Sequence, residues 1–227
     1  MRTLIVACRT IAAELELAQR EVGSDLPVSW VESGLHNWPD RLRSRLQQAL
    51  DGVGDAERVL LAFGYCGNAV VGLTAGAFEL ILPRADDCIS LMLGSCARRE
   101  EVSREKATYF LTPGYLDHES NIWSEYQAFA ARRGKEKADW VYAAMLAHYR
   151  RLGIIDTGSF EVEPFLERTR PIAATFGLEH EVIPGTTQYL RRLLSGPWDE
   201  GFIRIGAGGT LTFEHVYGPP PTSGSSR

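Results

Sequence analysis

Three cysteines in this chain each follow a short apolar run. Leu4-Ile5-Val6-Ala7 leads straight into Cys8, and Val59-Leu60-Leu61-Ala62-Phe63 leads through Gly64-Tyr65 to Cys66. Leu80-Ile81-Leu82-Pro83 leads through Arg84-Ala85-Asp86-Asp87 to Cys88. Uncharged runs of this kind mark strands buried on both faces of a parallel sheet. Open α/β sheets gather their ligands beyond the carboxyl ends of such strands. Three thiols at three strand ends therefore point to one shared site. Thiolates joined by an imidazole suit zinc, whereas three thiolates alone suit a [4Fe-4S] cluster with one open iron. His36 is the candidate imidazole, because it follows the run Val28-Ser29-Trp30-Val31 and precedes a helix that Pro39 can open. It would act as a fourth ligand or as a proton-transfer group. The rival reading makes each free cysteine a small core hydrophobe, with the sulfurs in separate pockets.

Other residue types near these thiols suit a reactive centre. Gly64 and Gly67 bracket Cys66 and permit a sharp turn with close ligand approach. Arg9 and Arg84 can hold a substrate carboxylate or phosphate. Tyr65 can donate a proton, and Thr112-Pro113-Gly114-Tyr115 can close over the site. Asp87 can support a ligand, and Asp86 or Asp87 can cap a helix that begins near Cys88. A thiol in such a first turn feels the positive helix end, which favours thiolate. No C-x-x-C spacing occurs, and Cys96 lies beyond the apolar helix, so it reads as incidental. Asp156-Thr157-Gly158 occurs once, whereas acid-protease chemistry needs two such carboxylates. Gly-x-Gly-x-x-Gly after the first strand, a phosphate loop and Gly-x-Ser-x-Gly are all missing.

These residues need a scaffold. With 227 residues, 44% of them hydrophobic, the chain can bury the core of one α/β domain over residues 1–216. Strand and helix patterns alternate and give a mostly parallel sheet of about six or seven strands with helices on both faces. A helical insertion spans about 119–151, where Trp140, Val141 and Met145 offer a face for internal packing or for a second copy. Phe202–Ile205 and Thr210–His215 suggest a small β-hairpin, and residues 217–227 have the composition of a disordered tail. A net charge of −5 argues against nucleic-acid and anionic-membrane partners. Val59–Phe78 carries no charge, but its four glycines favour a strand and loop over a membrane span. Without a signal peptide the expected compartment is the cytoplasm, where thiols stay reduced.

The chain resembles proteins that carry the domain of unknown function 1638. The resemblance rests on Cys8, Leu35-His36-Asn37 with Pro39, Tyr65-Cys66-Gly67 and Pro83-Arg84 with Asp87-Cys88-Ile89. It continues through Leu93-Gly94-Ser95, Tyr109 to Gly114, Ile155 to Gly158 and Leu194 with Gly196 and Trp198-Asp199, and Tyr115 stands where tryptophan is expected. The resemblance implies an association with corrinoid-dependent methyl transfer. The expected protein is thus a metal-dependent enzyme of methyl or one-carbon transfer acting on a small molecule, with a corrinoid protein as partner. Zinc would sit on Cys8, Cys66, Cys88 and His36. The alternatives are a [4Fe-4S] lyase or desulfurase, and a non-catalytic factor that delivers metal or stabilises a corrinoid protein.

Overall fold

The computed structural model describes residues 1–118 and 121–218. A mostly parallel five-stranded sheet and a parallel three-stranded sheet carry the fold. The larger holds β1 (Thr3–Cys8), β2 (Val28–Val31), β3 (Arg58–Ala62), β4 (Glu79–Pro83) and β8 (Phe202–Ile205), in the order β2-β1-β3-β4-β8. The first four run parallel, while β8 pairs antiparallel with β4. Ile5, Val6, Leu60, Leu61, Ile81 and Leu82 are fully buried, which is why their strands read as unbroken apolar runs. Helices α1 (Ala12–Val22) and α2 (Pro39–Asp51) cross over in opposite directions, so right-handed connections put them on opposite faces. Pro39 opens α2, and Leu42, Leu46 and Leu50 form its buried stripe. Helix α9 (Gln188–Ser195) packs beside α1.

The smaller sheet has the order β5-β6-β7, with β5 at Thr108–Leu111, β6 at Arg151–Asp156 and β7 at Glu179–Pro184. The parallel strands expected in one sheet are thus divided between two. Ile155 and Ile183, near the ends of β6 and β7, belong to the larger core and join the sheets there. The crossover from β5 to β6 contains α5 (Pro113–His118), α6 (Ile122–Arg133) and α7 (Lys135–Met145). These helices fill most of the expected insertion, although α7 stops at Met145 and Arg151 already belongs to β6. Ala138 and Tyr142 face inward, whereas Trp140 and Met145 are exposed.

The expected hairpin takes another form. Phe202–Ile205 is a strand, but its antiparallel partner is β4. Thr210 makes only an isolated bridge to Thr74, and Phe213–Tyr217 is helix α10. A capping box explains the helix, since the Thr212 hydroxyl accepts from His215 N–H and the His215 ring takes Thr212 N–H. The expected tail at 217–227 lies outside the described residues from 219 onward. Val59–Phe78 forms β3 and a run of turns, and no helix among the described residues is long and apolar enough to cross a membrane.

An ion-pair cluster closes the start of the smaller sheet. Glu181 on β7 accepts from Arg151 Nη1 at 2.8 Å and from Lys106 Nζ at 2.5 Å. Hydrogen bonds from these two cations hold the Glu181 carboxyl down at about 2, against an ordinary 4.5. A carboxyl depressed by folding stabilises the fold above its unfolded value and loses that contribution as pH falls through the folded one. Urea unfolding should therefore show wild type more stable than Glu181→Gln at pH 6, with the gap closing between about pH 4.5 and 2. A gap that stays constant over that range would remove the cluster from the acid response.

Candidate functional site

In the larger sheet the chain first adds β2 on one side of β1 and then returns to add β3 on the other. The direction change lies between β1 and β3, the place where open parallel sheets form a crevice at their carboxyl ends. Cys8 is the last residue of β1, Cys66 follows β3, and Cys88 opens helix α3 (Cys88–Leu93) after β4. All three line one cavity of about 270 Å³ together with His36. The separate-pocket reading therefore fails for these three cysteines.

Two close backbone approaches assemble the cavity. A β-carbon on Gly64 would sit 2.4 Å from Asp87 Cα, so the loop after β3 can lie against the loop after β4 only with glycine there. Tyr65 N–H to Ala85 O at 2.8 Å and Cys66 N–H to Asp86 O at 2.9 Å complete that clamp. On the other side, a β-carbon on Gly114 would sit 1.8 Å from Thr10 O, so α5 rests directly on the turn after Cys8. This contact lets Tyr115 of α5 line the cavity and meet His36 edge-on, with ring centroids 6.4 Å apart.

Electrostatically Cys88 is the middle of the three sulfurs, coupled to Cys8 on one side and to Cys66 on the other. A hydrogen bond toward Cys88 is the main reason the Cys8 thiol is held well above its ordinary value, with burial second. Cys88 is likewise raised, chiefly by its hydrogen bond toward Cys66, while Gly64 N–H faces its sulfur. Cys8 also bonds the Thr10 hydroxyl at 3.2 Å, which donates to Ser33 Oγ at 3.0 Å and ties β1 to the loop that carries His36. Thr10 sits buried in a 3-10 turn at Arg9–Ile11. The raised Cys8 and Cys88 thiols show that burial and a neighbouring sulfur outweigh any pull from the short α3 dipole. Together with Cys66 these sulfurs can relay a proton or, once deprotonated, grip a cation. Among the described residues no three His, Cys, Asp or Glu side chains are grouped as ion ligands as they stand. The donors fit a soft metal in kind and in shared cavity, and metal binding would have to displace their protons.

Cys66 sits at φ 45°, followed by Gly67 at 65° and Asn68 at 69°. A left-handed non-glycine residue costs roughly 1–2 kcal/mol, and such strain clusters at functional sites.

Of the other expected site residues, Asp87 lines the cavity, but its carboxylate is engaged. Oδ1 caps α3 by accepting Ser90 N–H at 2.8 Å, and Oδ2 lies 2.9 Å from Arg99 Nε. Tyr65, Arg84, Arg9 and Thr112 are not among the lining residues. Tyr65 is buried beside Arg84, and burial pushes its hydroxyl up to about 12. Arg84 donates from Nη1 to His215 O at 2.6 Å, away from the cavity. Arg9 lies over the Trp30 ring at 5.2 Å. Thr112 is fully buried and accepts Leu116 N–H at its carbonyl, which starts α5. Cys96 is also outside, with its sulfur 4.0 Å from Arg84 O. Sequence reasoning missed Glu32, Asp86 and Tyr115 as lining residues. The acidic pair Asp86-Asp87 and the strand-end position of Glu32 were visible signals, and Tyr115 had entered only as the last residue of the Thr112–Tyr115 stretch expected to close over the site.

The family model for proteins of unknown function, DUF1638, matches residues 30–194, well over half of the chain. The chain belongs to the DUF1638 family. His36, Cys66 and Cys88 lie inside the matched span, and Cys8 lies ahead of it. No curated protein matches the chain.

Two substitutions test the local geometry. Cys66→Gly should be more stable than Cys66→Ala by about 1 kcal/mol in urea unfolding, because only glycine relaxes at φ 45°. Equal stabilities would deny the strain. Gly64→Ala should destabilise by roughly 1–3 kcal/mol as the two loops are forced apart, and it should increase the reaction of Cys88 with a thiol reagent.

Proposed function

We propose that this DUF1638 protein is an enzyme of methyl or one-carbon transfer in which Cys8, Cys66 and Cys88 hold a zinc ion in a cavity open to a small molecule. The observation that carries the reading is the convergence of three sulfurs from three separate strand ends on one cavity, with Cys88 electrostatically coupled to both others. His36 in the same cavity offers a fourth donor of the kind zinc takes. Bound there, zinc supplies Lewis acidity that lowers the pKa of a substrate thiol and leaves it able to accept a methyl group.

The chain's own residues do the rest. His36, at the end of a loop tied to Cys8 through Ser33 and Thr10, stands at the cavity wall and is placed either to complete the donor set or to take a proton from substrate. Tyr115 packs against its ring and fixes its orientation. Phe63 and Leu42 keep the inner wall apolar, which strengthens charge interactions inside. Asp87 steadies the Cys88 turn by capping α3. A corrinoid protein as methyl donor and a cytoplasmic setting belong to the same proposal.

Protein purified without oxygen should contain about one zinc per chain, and Cys8→Ala, Cys66→Ala and Cys88→Ala should each lose most of it. His36→Ala should lose metal only if the imidazole is a ligand. Iron with inorganic sulfide would replace zinc by the cluster reading. Metal-free wild type in every preparation would end both.

A further inference from the structure

A second cavity of about 380 Å³ adjoins the first, and His36 and Tyr115 line both. Its remaining wall includes Arg99 and Ser103 of α4 (Cys96–Glu105), Tyr109 of β5 and Tyr149. The two cavities differ in charge. Glu32, Asp86 and Asp87 line the thiol cavity, whereas among the described residues lining the second there is no carboxylate, and Arg99 is the one charged side chain there apart from histidine.

Arg99 is poorly used by the protein. Its Nε lies 2.9 Å from Asp87 Oδ2, yet this buried N–H is not aimed at that oxygen and has no hydrogen-bond partner. An arginine carries five N–H donors in a planar fork that matches a carboxylate or a phosphate. Hydroxyls at Ser103 and Tyr149 add polar character around it. We infer that this second cavity is the subsite for an oxyanion, a carboxylate or phosphate, on a substrate whose other end reaches the thiols past His36 and Tyr115.

This assignment rests on reading the thiol cavity as the reactive centre, and it adds a direction to it. Glu32 and Asp86 in the thiol cavity repel an anionic group, and Arg99, paired to Asp87 through Nε, attracts it with its remaining N–H groups. A substrate carrying one oxyanion is thereby oriented with its uncharged reactive end toward Cys66 and Cys88. Arg99 fills the role expected for Arg9 and Arg84, which the fold turns to other partners.

Isothermal titration of the full-length protein with inorganic phosphate, succinate and uncharged succinamide tests the subsite. One anion should bind saturably at a single site and succinamide should not, and the stronger of phosphate and succinate names the group. Arg99→Gln should weaken that binding at least tenfold, and Arg99→Lys should weaken it less. Because Arg99 also touches Asp87, Ser103→Leu, one turn along the same face of α4, serves as a second variant that fills the cavity and should abolish binding without loss of metal. No saturable anion binding to wild type, or the same affinity in Ser103→Leu and Arg99→Gln as in wild type, would overturn the subsite. Anion binding retained in a metal-free Cys66→Ala protein would separate it from the thiol reading, so the two can fail independently.

Discussion

The loop after β3 lies so close to the loop after β4 that Gly64 has no room for a side chain over Asp87. Most of the site follows from that contact. It sets Cys66 beside Cys88, aims Gly64 N–H at the Cys88 sulfur, and lets two backbone hydrogen bonds bind the loops as a short extension of the parallel sheet. The matching contact of Gly114 on the Thr10 carbonyl brings the smaller sheet's first helix over Cys8. The cavity is therefore made where two sheets meet, with the thiols supplied by the larger and part of its cover by the smaller.

That construction explains the chemistry of the sulfurs. Cys8 and Cys88 are held above their ordinary value because a thiolate at either would face a neighbouring sulfur in a buried setting. A cation placed among the sulfurs would offset that repulsion. Cys66 keeps a left-handed backbone conformation that its neighbours Gly67 and Asn68 share. The clamp to Asp86 holds it there, and the turn would relax if the clamp were lost.

Much of this was legible in the sequence. The apolar runs before Cys8, Cys66 and Cys88 fixed the parallel strands, and the strand-end rule then placed three thiols and His36 together. Pro39 and Asp87 opened helices where their chemistry directs. Division into two sheets was not legible, because pairing partners leave no mark in a strand's own composition. The hairpin failed for a related reason: β8 found a better partner in the edge of β4 than in Thr210–His215. Arg84 was expected at the site, but proximity along the chain says which loop a residue occupies and not which way its long side chain turns. Arg84 turned toward α10, and Arg99 of α4 turned toward the second cavity.

The central claim is that sulfurs from β1, β3 and β4 act on one ion. X-ray absorption at the zinc edge of anaerobically purified, zinc-bearing protein tests it most directly. The account predicts a shell of three sulfurs at about 2.3 Å with one nitrogen or oxygen at about 2.0 Å. A shell made only of nitrogen and oxygen would contradict it.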